Sequence, residues 1–216
     1  MKKGFFMLMK FFMLMTICLM TTCQAQDQQE KQKATARIGG PCEGCEAIYE
    51  WGDRKLSPLD TLPDFGEQGP KLKLTGTIYK QDGKTPASDV ILYIYHTDQQ
   101  GRYPTRGNEQ GWDKRHGYLR GWIKTGADGK YIFYTQKPGA YPERNSPAHI
   151  HATVKEPAKG EYYIDDYVFE DDPLLDLADH GSSPRGGSGI ISLRKEGDIW
   201  VAERDIILGL NIPAYD

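Results

Sequence analysis

The residues with chemistry to offer fall within one stretch, Asp89 to Val154, anchored by Pro147-Ala148-His149-Ile150-His151. Strand side chains alternate with a period of two, so histidines at i and i+2 in this apolar, β-branched setting share one face. Two tyrosines lie upstream in turn-like settings: Tyr103 in Gly101-Arg102-Tyr103-Pro104 and Tyr141 in Pro138-Gly139-Ala140-Tyr141-Pro142. A tyrosine in a turn beside proline is poorly placed for core packing. An HxH pair alone names no metal, because imidazole suits zinc, copper, iron and nickel alike, and isolated pairs are commonly polar features of a sheet rim. The phenols narrow the choice. A phenol has a pKa near about 10, so its anion persists at neutral pH only beside a strong cation. Ferric iron, hard and highly charged, meets that requirement. Tyr103, Tyr141, His149 and His151 are therefore the candidate ligands of one Fe(III) per chain.

The elements that must position these groups read as strands. Leu72, Leu74, Gly76 and Ile78 alternate with polar neighbours, and an Asp82-Gly83 turn follows. Val90 to Tyr95, Tyr118 to Thr125, Lys130 to Thr135, Ala148 to Val154, Tyr162 to Phe169, Gly189 to Leu193 and Ile199 to Leu208 complete the set, with Asp128-Gly129 reading as a hairpin turn. Seven or eight short strands with turns between them predict an all-β fold, a single β-sandwich over residues 71–216. Two long irregular segments interrupt it, Thr97 to His116 and Glu170 to Ser188, and the first carries Tyr103. Long loops in a compact domain are usually functional, so this one is expected to line the site. Tyr93 and Tyr95 read as core packing, His96 as a rim residue, His116 as a pocket contact and His180 as exposed.

Composition is globular, with 26% charged and 11% aromatic residues, and the net charge of −3 comes without a basic stripe. Nucleic-acid binding is therefore not expected. Lys2-Lys3 followed by an apolar run from Phe5 to Met20 reads as an export signal within residues 1–25, shorter than the roughly 20 residues of a spanning helix. Thr21-Thr22-Cys23 resembles a loose lipobox, which would leave Cys23 acylated as a membrane tether, and Cys23-Gln24-Ala25 would equally serve ordinary signal peptidase. Either way the chain is expected to be exported by a bacterium, periplasmic or anchored at the outer membrane. Residues 26–70 read as a polar linker and an irregular N-terminal arm held by Tyr49 and Trp51, with the pair Cys42 and Cys45 in Pro41-Cys42-Glu43-Gly44-Cys45. No second CxxC exists to complete a zinc site, so a local disulfide is the favoured reading in an oxidising compartment.

Gly101-Arg102-Tyr103, Thr125 to Phe133, Pro138 to Pro142 and Pro147 to His151 together resemble the intradiol ring-cleavage dioxygenases, nearest to the protocatechuate 3,4-dioxygenase type. Tyr167 to Leu174 and Arg204 to Leu208 resemble that family's later segments, so the likeness runs from about Lys71 to Leu208. It implies a β-sandwich holding non-haem Fe(III) through Tyr103, Tyr141, His149 and His151, with a catechol and O2 as substrates and a muconate-type product. Tyr141 and His151 would be axial, and Tyr141 would leave the metal when substrate binds, taking up one of its protons. Three residues before His149, where the family carries an arginine that steadies the bound catecholate, stands Ser146. Arg144 is the candidate replacement, a catalytic role beside Tyr141. Arg102, His116 and Arg120 are the candidate substrate contacts, and with Arg106 and Arg115 they would favour an acidic ring substituent. The run from Leu74 to Tyr141 also resembles prealbumin-like and carboxypeptidase-regulatory-like sandwich modules, which bind without catalysis. Such a module has no need of Tyr103, His149 and His151 together. An inactive iron-binding homologue is the remaining alternative.

Overall fold

The structure, a computed structural model, describes residues 37–177 and 183–215, so the leader, Cys23 and His180 lie outside it. Eleven strands among the described residues form two facing sheets. The first runs in the order β1 (Leu59–Thr61), β5 (Lys130–Gln136), β2 (Lys71–Tyr79), β10 (Ile199–Glu203), β9 (Arg194–Glu196), with β11 (Ile206–Ile207) also pairing β2. The second runs β4 (Arg120–Lys124), β3 (Ile91–His96), β6 (His149–Lys155), β7 (Glu161–Phe169), β8 (Ile190–Ile191). The all-β sandwich expected from the alternation is thus present. The strands beyond the seven or eight expected are two or three residues long, too short for alternation to register.

The core between the sheets follows the period of two. Along β2 every second residue is buried, and Leu72, Leu74 and Ile78 pack in one cluster with Leu92 and Ile94 of β3 and Ile150, Ala152 and Val154 of β6. Each leucine, isoleucine or valine among them contributes about 1.5–3 kcal/mol when fully withdrawn from water. The opposite face of the second sheet is also covered. There Tyr93 and Trp122 are buried against Ala47 and Ile48 of a 3-10 helix spanning Cys45–Tyr49.

Three local expectations are corrected. Asp128-Gly129 joins β4 to β5, which pair with β3 and β2 respectively in different sheets, so the turn crosses the sandwich instead of closing a hairpin. The turn signal was right, but partners are chosen by long-range packing. Of the two aromatics expected to hold the arm, Trp51 does pack on the cluster of the fully buried Ala47 and Ile48, while Tyr49 is 46% exposed; the arm's short strand is β1, paired parallel with β5. His96 is no rim residue, being only 1% exposed.

His96 instead belongs to a polar clasp between the sheets. Its Nδ1–H donates to the Thr97 carbonyl at 2.7 Å, since a carbonyl can only accept, and its Nε2 lies 2.7 Å from the Thr135 hydroxyl. Thr135 in turn lies 3.1 Å from a carboxylate oxygen of Asp64. Burial pushes the Asp64 carboxyl up, against the pull of His96, and pushes the His96 imidazole down, so both directions favour an uncharged pair sharing its protons through Thr135. Thr135→Val deletes the bridging hydroxyl and leaves buried polar atoms without a partner. It should cost about 1–3 kcal/mol of stability, read as a lowered thermal midpoint; an unchanged midpoint would show that the clasp contributes nothing.

Candidate metal centre

The site is built on the covered outer face of the second sheet. In β6, Ile150, Ala152 and Val154 point into the core, so His149, His151 and Thr153 share the opposite face. Pairing of β3 with β6 sets Tyr95 directly across from His151, and the two rings stack with centroids 4.4 Å apart. His116 stacks on the other side of Tyr95 at 3.7 Å. Tyr95, expected to be ordinary core packing, is therefore a wall of the site, for a reason that lies in strand pairing and not in its neighbours in sequence.

Two loops deliver the phenols. The carboxylate of Asp98 accepts from the backbone N–H groups of Gln100 and Arg102, each at 2.9 Å, a side-chain turn that aims the chain at Tyr103. The neighbouring loop is tied on by the Thr97 hydroxyl donating to the Gly139 carbonyl at 2.9 Å, and by the Gly139 N–H donating to the Asp98 carbonyl. Gly101 permits this approach. It has a φ of 73°, and a Cβ there would stand 1.8 Å from the Ala140 carbonyl oxygen.

The result is a convergence of donors from three segments. The Tyr103 and Tyr141 hydroxyls lie 2.5 Å apart, and the Nε2 of His151 lies 3.0 Å from the first and 3.4 Å from the second. The His149 ring stands edge-on to both Tyr141 and His151, with centroids at 5.1 and 4.6 Å. Both imidazoles are oriented by hydrogen bonds on their far nitrogens. Nδ1 of His149 donates to the Pro147 carbonyl at 2.8 Å, and Nδ1 of His151 donates to the Asp166 carboxylate at 3.1 Å. Each bond fixes the tautomer that leaves the Nε2 lone pair for a metal.

Asp166 escaped the sequence reading. Opposite His151 the register of β6 and β7 shifts: Ile150 pairs Tyr167 but Ala152 pairs Ile164. Two aspartates, Asp165 and Asp166, thus oppose one histidine across a β-bulge, a device that re-aims side chains beside active sites. The available signal was Asp165-Asp166 breaking the alternation of Tyr162 to Phe169. Arg204, named earlier only as part of a closing motif, holds the bulge, its guanidinium donating to the Asp165 carbonyl at 2.6 Å.

The electrostatics suit a cation. Burial raises the Tyr103 phenol well above its ordinary value, and its hydrogen bond to Tyr141 raises it further. Burial likewise raises Tyr141, against the lowering effects of Tyr103 and Arg144. Without a metal both phenols stay protonated; a trivalent ion among them would supply the charge that makes phenolates of them. Burial, then the charge of His151, depresses His149 towards the neutral ligand form. Burial would raise Asp166, but His151, His149 and Arg204 together hold its carboxyl below the usual range. Two phenols, two imidazoles and a carboxylate behind one of them are a donor set that fits a hard trivalent ion.

Several openings reach the donors. Arg102 and Arg144 line a cavity of about 330 Å³ with Tyr103, Tyr141, Pro142 and Glu143, and the Arg144 guanidinium stands 5.4 Å from the Tyr141 ring centre. His116 is more buried than expected, its Nδ1 2.8 Å from the Tyr93 hydroxyl, yet it does line a cavity of about 200 Å³ with Tyr103, Tyr141 and His151. Arg120, expected at the substrate, is instead engaged by Glu50 at 2.7 Å and by Asp113, tying the arm to the loop that carries Trp112 and His116. Arg106 lies over the Tyr118 ring. Ser146 lines a separate cavity of about 540 Å³ with His149 and Asp166, and its Oγ is buried without a hydrogen-bond partner. Cys42 and Cys45 are joined by a disulfide.

Residues 53–195 match the family model Dioxygenase_C, described as Dioxygenase. The chain is 28% identical over 137 residues to the protocatechuate 3,4-dioxygenase beta chain of Burkholderia cepacia, covering 58% of each. It is 31% identical over 140 residues to catechol 1,2-dioxygenase 1 of Acinetobacter lwoffii, covering 56% of this chain and 42% of that protein. The chain thus spans about half the length of these curated relatives. Its fold is shared with the dioxygenase domain of a dioxygenase–carbohydrate-binding protein fusion from Streptomyces sp. SirexAA-E, with a TM-score of 0.54 at 23% identity over 78% of this chain and 95% of that one.

Two predictions follow from the geometry. Asp166→Asn keeps the shape but removes the charge behind His151, so iron affinity should fall about 10–100-fold in competition with a chelator; undiminished affinity would remove Asp166 from the centre. His116 is pushed down to about 3 by burial, with Arg120, His151 and Arg115 acting in the same direction. Its folded value lies below the free value of 6.5, so the unfolded chain takes up the proton first and stability is lost as pH falls from there. In metal-free protein, His116→Phe should flatten the decline of the urea midpoint between about pH 6 and about pH 4; an equally steep decline would assign acid sensitivity to other groups.

Proposed function

Because the chain belongs to the intradiol ring-cleavage dioxygenase family, we propose that it is a non-haem Fe(III) dioxygenase that opens a catechol between its hydroxyl-bearing carbons, with O2 as co-substrate and a muconate-type product. The observation that carries this reading is the meeting of Tyr103, Tyr141 and His151 within 2.5–3.4 Å, with His149 alongside. Bound there, ferric iron would supply Lewis acidity and a template for the diol. The chain's own residues do the rest. Tyr141, with the Arg144 guanidinium over its ring, would be the ligand to give way and accept a substrate proton. The Arg144 cation favours the anion of Tyr141, which supports its part as a phenolate ligand before that proton is taken up. His149 and His151, oriented by Pro147 and Asp166, would hold the metal through their Nε2 atoms.

Ser146 offers no charge, so the cation for the bound catecholate falls to Arg144 or Arg102, both on the Tyr141 side. A docked diol anion would meet them directly, as electrostatic stabilisation requires. The same reading takes the leader as an export signal and Cys23 as the lipid anchor, in keeping with the Cys42–Cys45 disulfide, since such bonds persist in oxidising compartments.

The test is the visible spectrum and iron content of the leaderless protein, followed by a catechol titration. We expect about one iron per chain, as the one donor cluster among the described residues implies, and a red-brown phenolate band that shifts with catechol. Tyr103→Phe should weaken iron binding and remove most of that colour. Protein that stays colourless after ferric reconstitution would instead favour a sandwich module that binds without metal. Colour and catechol binding without ring opening would mark an inactive iron-binding homologue.

A further inference from the structure

We propose that the Cys42–Cys45 turn roofs the substrate chamber and that Glu43 within it selects against catechols carrying a ring carboxylate; this rests on the function proposed above. The turn lies outside residues 53–195, the span matched by the family model. Glu43 lines the cavity of about 200 Å³ whose other walls include Tyr95, Tyr103, Tyr141 and His151. The turn as a whole, Pro41 to Cys45, lines a second cavity of about 280 Å³ beside His151 and Asp166. The donor cluster therefore has this turn on two of its sides.

The turn is held in place from several directions. Its disulfide closes it at a Cα–Cα distance of 5.7 Å, and the helix that follows is pinned by the buried Ala47 and Ile48. Gly44 has a φ of 87°, and a Cβ there would stand 2.7 Å from Nε2 of His116, so the backbone rests on the aromatic stack that walls the site. Glu43 itself pairs with Arg115, which projects from the helix spanning Asp113–His116. Both side chains remain largely exposed, at 71% and 61%, so the pair can exchange partners.

A plain catechol entering this chamber meets a neutral ion pair. A carboxylated one brings a negative charge to the same rim, where it must either lie against Glu43 or displace it from Arg115. Either course costs affinity, which is discrimination by repulsion of the wrong ligand. The turn thus counteracts the attraction that Arg102 and Arg144 would offer an acidic substrate from the other side.

The experiment compares dissociation constants of catechol and 3,4-dihydroxybenzoate, each from the colour change of iron-loaded protein. Glu43→Gln should raise the preference for the carboxylated diol by about threefold, the effect of one exposed charge, with iron content unchanged. Arg115→Gln should lower that preference. Replacing both cysteines by serine should weaken both diols while iron stays bound. An unchanged ratio in Glu43→Gln, a rise of equal size in Arg115→Gln, or undiminished affinities in the cysteine variant would overturn the inference. If neither diol shifts the colour of the parent protein, the proposed function falls and the inference with it; a responsive parent with an unresponsive Glu43→Gln sinks the inference alone.

Discussion

The hydrogen bond from His151 to Asp166 depends on a fault in strand pairing. A regular ladder would put residues 165 and 166 on opposite faces, one of them in the sandwich core, where a carboxylate is expensive to bury. The bulge removes that conflict: Ile164 and Tyr167 both remain in the core cluster while the two aspartates stay out of it. The same irregularity puts a carboxylate behind a candidate metal ligand. Core packing and site chemistry are satisfied by one extra residue.

The choice of face has its own consequences. Imidazoles and phenols gathered inside the sandwich would interrupt the contact between Leu72, Leu74, Ile150 and Ala152. Set on the outer face, they leave that core intact but need a second cover. The arm supplies it with Ala47 and Ile48, and the Arg120 ion pairs with Glu50 and Asp113 draw the loop carrying Trp112 and His116 onto the arm. Such a partly buried cluster of charges carries little net stability of its own, because the cost of desolvating Arg120 offsets much of the attraction. What it does is fix how two irregular segments meet over the donors.

Much of this was legible beforehand because it is local. Alternation placed β2, β3, β6 and β7 to within a residue or two, and His149 and His151 on one strand face follow from spacing alone. The two phenols were marked by turns that hold no core position. What was hidden depends on which strand lies beside which. Tyr95 looked like its neighbour Tyr93 until β3 was set beside β6. Asp128-Gly129 marked a turn without saying that its two strands belong to different sheets. His96 and Asp64 are far apart in sequence and meet only through Thr135. Arg120 looked like an available cation because its partners Glu50 and Asp113 lie in segments with no regular pattern. The Asp165-Asp166 doublet did carry a signal, a break in alternation, whose meaning becomes clear only with the partner strand in place.

Arg204 gives the centre an order of assembly. The guanidinium that steadies the bulge follows all four candidate ligands in the chain, and it arrives with β10, which pairs parallel to β2 from the first part of the sandwich. Synthesis runs from the N-terminus, so every metal donor exists before the residue that holds Asp165 and Asp166 in place. A partly made chain has the histidine pair but not the cation that holds Asp165 and Asp166 beside it, and long-range parallel pairing of this kind is slow to form. The carboxylate brace behind His151 is therefore complete only once the last strands have docked.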